Sequence, residues 1–130
     1  MKGLIERLGI SNRVEFPGLL CKEDVRLLYL KSNIGIVSSN SETFGQSIVE
    51  PFVLGRCVIS TPVGIANDII QNGVNGYIYT SQKDLVEKFD YLYTHQNMIY
   101  QMGENNYKER DLFNWERISQ VYKEKILFLS

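Results

Sequence analysis

The chain has 130 residues, 44% of them hydrophobic, a length that buries one ordinary core rather than two, so a single domain over residues 1–130 is expected. Fourteen lysines and arginines stand against 15 aspartates and glutamates, a net charge of -1 that supplies no basic surface and argues against nucleic acid as a partner. No apolar run approaches the roughly 20 residues that cross a bilayer, which leaves at most a peripheral association with a membrane.

In chain order, Leu4, Ile5 and Leu8 recur at helical spacing before Gly9, so the chain opens almost inside a helix and reads as N-terminally truncated. Val14, Glu15 and Phe16 read as a short strand ended by Pro17 and Gly18. A helix follows, with Glu23 and Asp24 at its positive end and a buried stripe of Val25, Leu28 and Tyr29, until Ser32 and Asn33 break it. Residues 34–37 carry no polar side chain, as expected of a strand covered on both faces.

A polar turn leads into a helix over residues 47–54, stopped by Gly55. Residues 57–60 repeat the apolar strand signal, Ile69 and Ile70 suggest a short helix, and Gly73 and Gly76 bracket a turn into a strand over 77–79. Ser81 with Asp84 resembles a capping box, before a helix whose Leu85, Phe89, Leu92 and Tyr93 share one face. Met98, Ile99 and Met102 mark a second helix, and Asn114 can cap a third carrying Trp115, Ile118, Tyr122 and Ile126. Strand and helix alternating through short turns imply a doubly wound, Rossmann-like α/β sheet with parallel strands and right-handed crossovers, followed by a helical C-terminal segment. Ligands of such sheets sit at the carboxyl ends of the strands, where residues 38–45 fall.

That turn sets Glu42 and Glu50 on either side of a helix start. Unpaired amides and the positive dipole end hold a phosphate without metal, and Gly45 lets the backbone of Thr43, Phe44, Gly45 and Gln46 approach a ligand closely. Ionised carboxylates accept hydrogen bonds from sugar hydroxyls, so the layout suits a nucleotide-sugar. Structural roles are also open. Ser47 and Glu50 have capping-box spacing, which would put Pro51 in the first turn, and Glu42 can be a solvated loop acid. Ser39 and Ser41 suit turns as well as hydroxyl contacts, and His95, the only histidine, reads as a surface residue. Cys57 reads as a small buried residue. With Cys21 it is expected to be a reduced thiol, pointing to the cytoplasm, and no metal site or cofactor is indicated.

The ordered series resembles the C-terminal, nucleotide-sugar-binding part of a group 1 (family four) retaining glycosyltransferase of the two-Rossmann-domain type B (GT-B) fold. It runs through residues 14–18, then Ser39, Glu42-Thr43-Phe44-Gly45 and Glu50, residues 58–61, Gly64, Asp68-Ile69-Ile70, Asn72-Gly73 and Gly76, and closes on residues 113–116. The resemblance implies that Glu50 holds the ribose hydroxyls of a UDP-, GDP- or similar nucleotide-sugar. Glu42 would contact the transferred sugar and is the candidate catalytic residue, amides at Phe44 and Gly45 would face sugar or phosphate, and Gly18 and Leu20 would lie in the loop facing the base. It further implies retention of anomeric configuration through front-face attack assisted by the leaving phosphate. The acceptor would be a saccharide or glycolipid in surface polysaccharide or glycolipid synthesis, at the inner face of the membrane. Ile65, standing where the family usually has a glycine, is expected to narrow the loop near the donor.

In that fold the sheet order is three, two, one, four, five, six, and this chain would supply strands three to six. The resemblance therefore implies a missing N-terminal half or second chain, and an isolated fragment with little or no activity. Two other readings use the same residues: a non-catalytic nucleotide-binding or interaction module completing a sheet on a separate chain, and an α/β phosphate-binding protein unrelated to sugars.

Overall fold

The short runs near residues 34, 57 and 76 pair in parallel in that spatial order, with the most apolar of them in the middle. The computed structural model describes residues 2–114 together with 116, 120, 123 and 124. In chain order the elements are α1 (Lys2–Arg7), α2 (Lys22–Lys31), β1 (Ile34–Val37), α3 (Gln46–Val53), β2 (Cys57–Ser60), α4 (Ala66–Ile69), β3 (Gly76–Ile78), α5 (Gln82–Thr94) and α6 (Gln96–Lys108). Short 3-10 turns cover Ser11–Arg13 and Arg110–Phe113. Ile34 faces Cys57 and Val37 faces Ser60 across the first ladder; Val58 faces Gly76 and Ser60 faces Ile78 across the second.

Strand alternation divides the core in two. Val37 and Val58 pack with Ile48 and Phe52 of α3 and with Ala66 and Ile70. Cys57 and Ile59 point the other way, against Tyr79, Leu92 of α5 and Met102 of α6. All four residues of β2 are buried, which explains its apolar run from Cys57 to Ile59, and the Ser60 hydroxyl is spent on the Thr61 carbonyl at 2.8 Å. The α/β architecture with parallel strands and flanking helices is thus as expected from the sequence.

Several local expectations are corrected. Val14, Glu15 and Phe16 form no strand: Val14 is extended, but none of the three enters a ladder, because a strand needs a neighbour and no described one lies beside them. Ile36 is 51% exposed, so β1 is not covered on both faces. Leu28 is exposed while Val25 and Tyr29 are half-buried, since α2 meets the body of the molecule over a narrow strip. Tyr93 is 78% exposed at the end of α5, beyond the reach of the face that buries Leu92. The third strand begins one residue early, at Gly76, where a side chain would collide with the Val58 carbonyl at 2.1 Å. The helix expected around Ile69 and Ile70 ends at Ile69.

The cap at Ser81 is present, its Oγ accepting from the Asp84 amide at 3.1 Å. Asp84 in turn accepts the amide of Thr80 at 3.1 Å rather than that of the cap itself. Asn114 Oδ1 accepts the Glu116 amide at 2.9 Å, as an N-cap does, while Trp115, Ile118, Tyr122 and Ile126 lie outside the described residues.

Helix α6 closes on the loop between α3 and β2 through two glycines. A side chain at Gly103 would lie 2.3 Å from the Gly55 carbonyl oxygen, so only glycine permits the approach. Next to it, buried Asn106 donates to the carbonyls of Arg56 and Asn75, each at 2.8 Å. Alanine for glycine inside a helix ordinarily gains about 1 kcal/mol. Gly103→Ala is expected to reverse that sign and cost about 1–3 kcal/mol through overpacking, whereas Gly3→Ala in α1, with nothing within 4 Å, should be neutral or stabilising; urea unfolding of the two variants reads the contrast.

Candidate functional site

The chain leaves β1 at Val37 and turns across the carboxyl end of the sheet, and the loop from β2 holds it there. Thr61 donates its amide to the Val37 carbonyl at 3.1 Å and its hydroxyl to the Ser39 carbonyl at 2.6 Å. Ile65 donates its amide to the Phe44 carbonyl at 2.8 Å. Gly64 makes this crossing possible, because a Cβ there would stand 2.4 Å from the Phe44 oxygen and 3.2 Å from Glu42 Cβ. Ile65 itself packs against the core around Ile48 and Ala66 and does not line the cleft described below.

Gly45, at φ +99°, turns the chain into α3, a left-handed conformation that favours glycine. Its carbonyl accepts from Ile48 and Val49 at 2.9 and 3.2 Å, which starts the helix. The amides of Thr43, Phe44, Gly45, Gln46 and Ser47 have no acceptor among the described residues. Five successive unspent donors at the positive end of a helix make a local anion-binding surface.

The capping-box expectation fails here. The N-cap is Gly45, no side chain caps α3, and Glu50 is its fifth residue. The hydroxyl of Ser47 turns instead to Glu42 Oε1 at 3.5 Å, and Ser39 Oγ donates to the same oxygen at 2.8 Å. Pro51 consequently lies in the second turn, not the first, where its ring packs over Gly35 of β1; a side chain at Gly35 would meet Pro51 Cβ at 2.6 Å.

Ser47 links the two acids. It bonds Glu42, and Glu50 lies three residues further along the same face of α3. Glu50 is near enough to α2 for its charge to act there: burial first, and the Glu50 charge second, raise the Tyr29 phenol above its ordinary pKa. On the other flank is a cleft of about 480 Å³ lined by Glu42, Thr43, Phe44, Gly45, Gln46, Val49 and Phe113. The structure thus brings Ser39, Glu42, Thr43, Phe44 and Gly45 together, with Glu50 on the adjoining flank. Gly18 and Leu20, in the coil before α2, do not line this cleft. Phe113, remote in sequence, is the wall residue that the reading of residues 38–55 could not supply; its place at the head of the closing motif was the available signal.

A larger hollow of about 870 Å³ lies at the opposite end of the sheet, beside Asn33, Gly55 and Arg56. Its three arginines are engaged: Arg26 with Glu23 at 3.0 Å, Arg56 with the Leu54 and Ser32 carbonyls at 3.1 Å, and Arg110 over the Tyr107 ring at 3.9 Å. It has no free amide cluster comparable to that of α3, and the smaller cleft is the better-built site.

His95 is an exposed surface residue, as read from the sequence; it stacks on Tyr91 at 4.2 Å, with Nδ1 2.9 Å from the Tyr91 carbonyl. Among the described residues no cluster of three or more His, Cys, Asp or Glu is placed to hold a metal, and no helix is long and apolar enough to cross a membrane.

The family model for glycosyl transferases group 1 matches residues 1–109. The chain is 30% identical over 129 residues to the uncharacterized glycosyltransferase MJ1178 of Methanocaldococcus jannaschii, covering 92% of this chain and 37% of that protein. Its fold superposes with a TM-score of 0.84 on Anabaena HepE, crystallised with UDP, at 26% identity over 96% of this chain and 35% of HepE. It also matches the C-terminal domain of LpcC, a group 1 glycosyl transferase of Francisella tularensis, with a TM-score of 0.74, at 23% identity over 82% of this chain and 56% of that one. The chain belongs to the group 1 glycosyl transferases and corresponds to the Rossmann-like C-terminal part of their GT-B fold. It spans little more than a third of the length of MJ1178 and HepE.

Both cysteines are free thiols, and neither lies in the cleft. Cys57 is fully buried with Sγ 3.6 Å from Met102 Sδ, and burial pushes its pKa up to about 12, whereas Cys21 is exposed. A thiol-titrating disulfide reagent at pH 8 should therefore modify Cys21 alone in the native chain and both cysteines in urea, since the thiolate is the reacting form.

Proposed function

We propose that the chain is the donor-binding part of a glycosyltransferase that moves a sugar from a nucleoside diphosphate to a saccharide or lipid-linked acceptor, with retention of configuration. The observation that carries this reading is the run of five unspent amides at residues 43–47 beside a carboxylate already held by two serine hydroxyls. The diphosphate rests on those amides, which stabilise the negative charge that develops on the leaving group. Glu42 accepts a hydroxyl of the transferred sugar and Glu50, on the Tyr29 flank, accepts the ribose hydroxyls. Gly18 and Leu20 belong to the base-facing side. HepE, crystallised with UDP and UDP-glucose, supports a nucleotide-sugar of this kind as the donor. Kinship with the family supports a role in surface polysaccharide or glycolipid synthesis at the cytoplasmic face of a membrane.

Calorimetric titration of the chain with UDP and GDP tests the site. One of the two should bind, and Glu50→Ala should weaken it by roughly tenfold, the loss of a charge-assisted hydrogen bond, with the urea midpoint little changed. A variant that shifts stability yet leaves binding intact would sink the reading in favour of a structural glutamate.

A second observation bears on partners. β1 is an edge of the described sheet, with Ile36 exposed and no charge or proline guarding it, and Leu4, Leu8, Phe16 and Leu19 are also exposed. Unguarded edges recruit other strands. A further polypeptide segment completing the sheet fits this edge, and would also wall the acceptor side that positioning of the attacking hydroxyl requires. The purified chain is accordingly expected to sediment as a self-associated species and to show no transfer to a simple sugar acceptor; a stable monomer that turns over would overturn both expectations.

A further inference from the structure

We infer that Phe113 is a specificity-determining residue for the transferred sugar, forming the apolar wall against which the ring of a hexopyranose packs. This rests on the donor-site reading above. Helix α3 separates two flanks at its start. Glu50 does not line the cleft and, as the ribose ligand of that reading, keeps the nucleoside outside it. Val49, one residue earlier, lines the cleft with Glu42 and Phe113. A donor with its diphosphate on the amides therefore has its nucleoside outside the cleft and its sugar in it.

The cleft has the two-sided chemistry of a sugar ring. Glu42, Thr43 and Gln46 offer polar groups to hydroxyls; Phe44, Val49 and Phe113 offer an apolar surface to the carbon-bound hydrogens. Phe44 is 55% exposed on a loop, but Phe113 is half-buried and braced edge-on against buried Phe52, with ring centroids 5.6 Å apart and planes at 79°. A braced ring loses little freedom when a ligand packs on it, so its contact is more selective than that of an exposed one. The residue belongs to the turn after α6, 71 positions beyond Glu42 by their numbers, so the far end of the domain shapes sugar choice.

The test is calorimetry on the full chain and its Phe113→Ala and Phe113→Leu variants. UDP, GDP and ADP are titrated first, then the glucose conjugate of whichever binds. In Phe113→Ala the glucose conjugate should weaken by about fivefold while the bare diphosphate stays within about twofold, as expected for loss of one aromatic packing contact; Phe113→Leu, which keeps the brace on Phe52, should lose less. Equal weakening of both ligands, or an unchanged ratio between them, would overturn the assignment and leave the donor site standing. Failure of the unaltered chain to bind any of the three diphosphates would remove the donor site and this inference together.

Discussion

One backbone hydrogen bond organises the carboxyl end of this domain: the amide of Ile65 donating to the carbonyl of Phe44 at 2.8 Å. It occupies the carbonyl of the peptide link between Phe44 and Gly45 and holds the loop after β1 against the loop after β2. The amides of residues 43–47 are left without an acceptor among the described residues. Unspent donors are normally expensive when water is excluded, and they persist where a ligand or solvent satisfies them. Gly64 is the condition for the contact, since any side chain there would enter the space of the Phe44 oxygen. Thr61, bonding back to Ser39 and Val37, fixes the same loop at its root. The positions of Ser39 and Glu42 follow from these straps.

The opposite end of the sheet is built on a similar device with a different outcome. Gly103 of α6 meets the Gly55 carbonyl at backbone distance, and Asn106 satisfies the carbonyls of Arg56 and Asn75. Here the Asn106 amide donors are spent on carbonyls, while its Oδ1 has no partner among the described residues, and the result is a fastening between α6, the entrance to β2 and the turn before β3. Fastening at the amino ends and open donors at the carboxyl ends suit a domain that must be rigid behind its site. The Phe113 turn extends from the fastened helix to the cleft, so the two ends are mechanically continuous through α6 and the edge-on pair with Phe52.

The strands were legible because they are short, mostly apolar runs bounded by turn residues, their order was implied by the family resemblance, and the position of the site followed from the carboxyl-end rule for such sheets. What was illegible depended on partners. Residues 14–16 have strand-like composition, but strand identity is a property of a pair, and no described neighbour supplies one. Ser47 and Glu50 have capping spacing, yet Gly45 starts the helix with its backbone and frees Ser47 for Glu42. Tyr93 has the right period to be core and lies past the end of what α5 can bury. Asn106 carries no periodic signal; only the carbonyls of Arg56 and Asn75, 50 and 31 residues away, explain a buried amide there.

Placing acids beside an anion-binding surface sets an electrostatic problem, since a carboxylate close to a diphosphate raises its free energy. The geometry offers an answer for each acid. Glu42 accepts hydrogen bonds from Ser39 and Ser47 on one oxygen, which leaves the second oxygen for a hydroxyl donor. Glu50 is placed a turn along the helix, outside the cleft, where its charge acts on Tyr29. On the proposed reading a bare phosphate has nothing to gain from either acid, and a ligand bearing hydroxyls on both sides of its diphosphate gains from both. Selectivity for a nucleotide-sugar over a simple anion then comes from the repulsion as much as from the attraction.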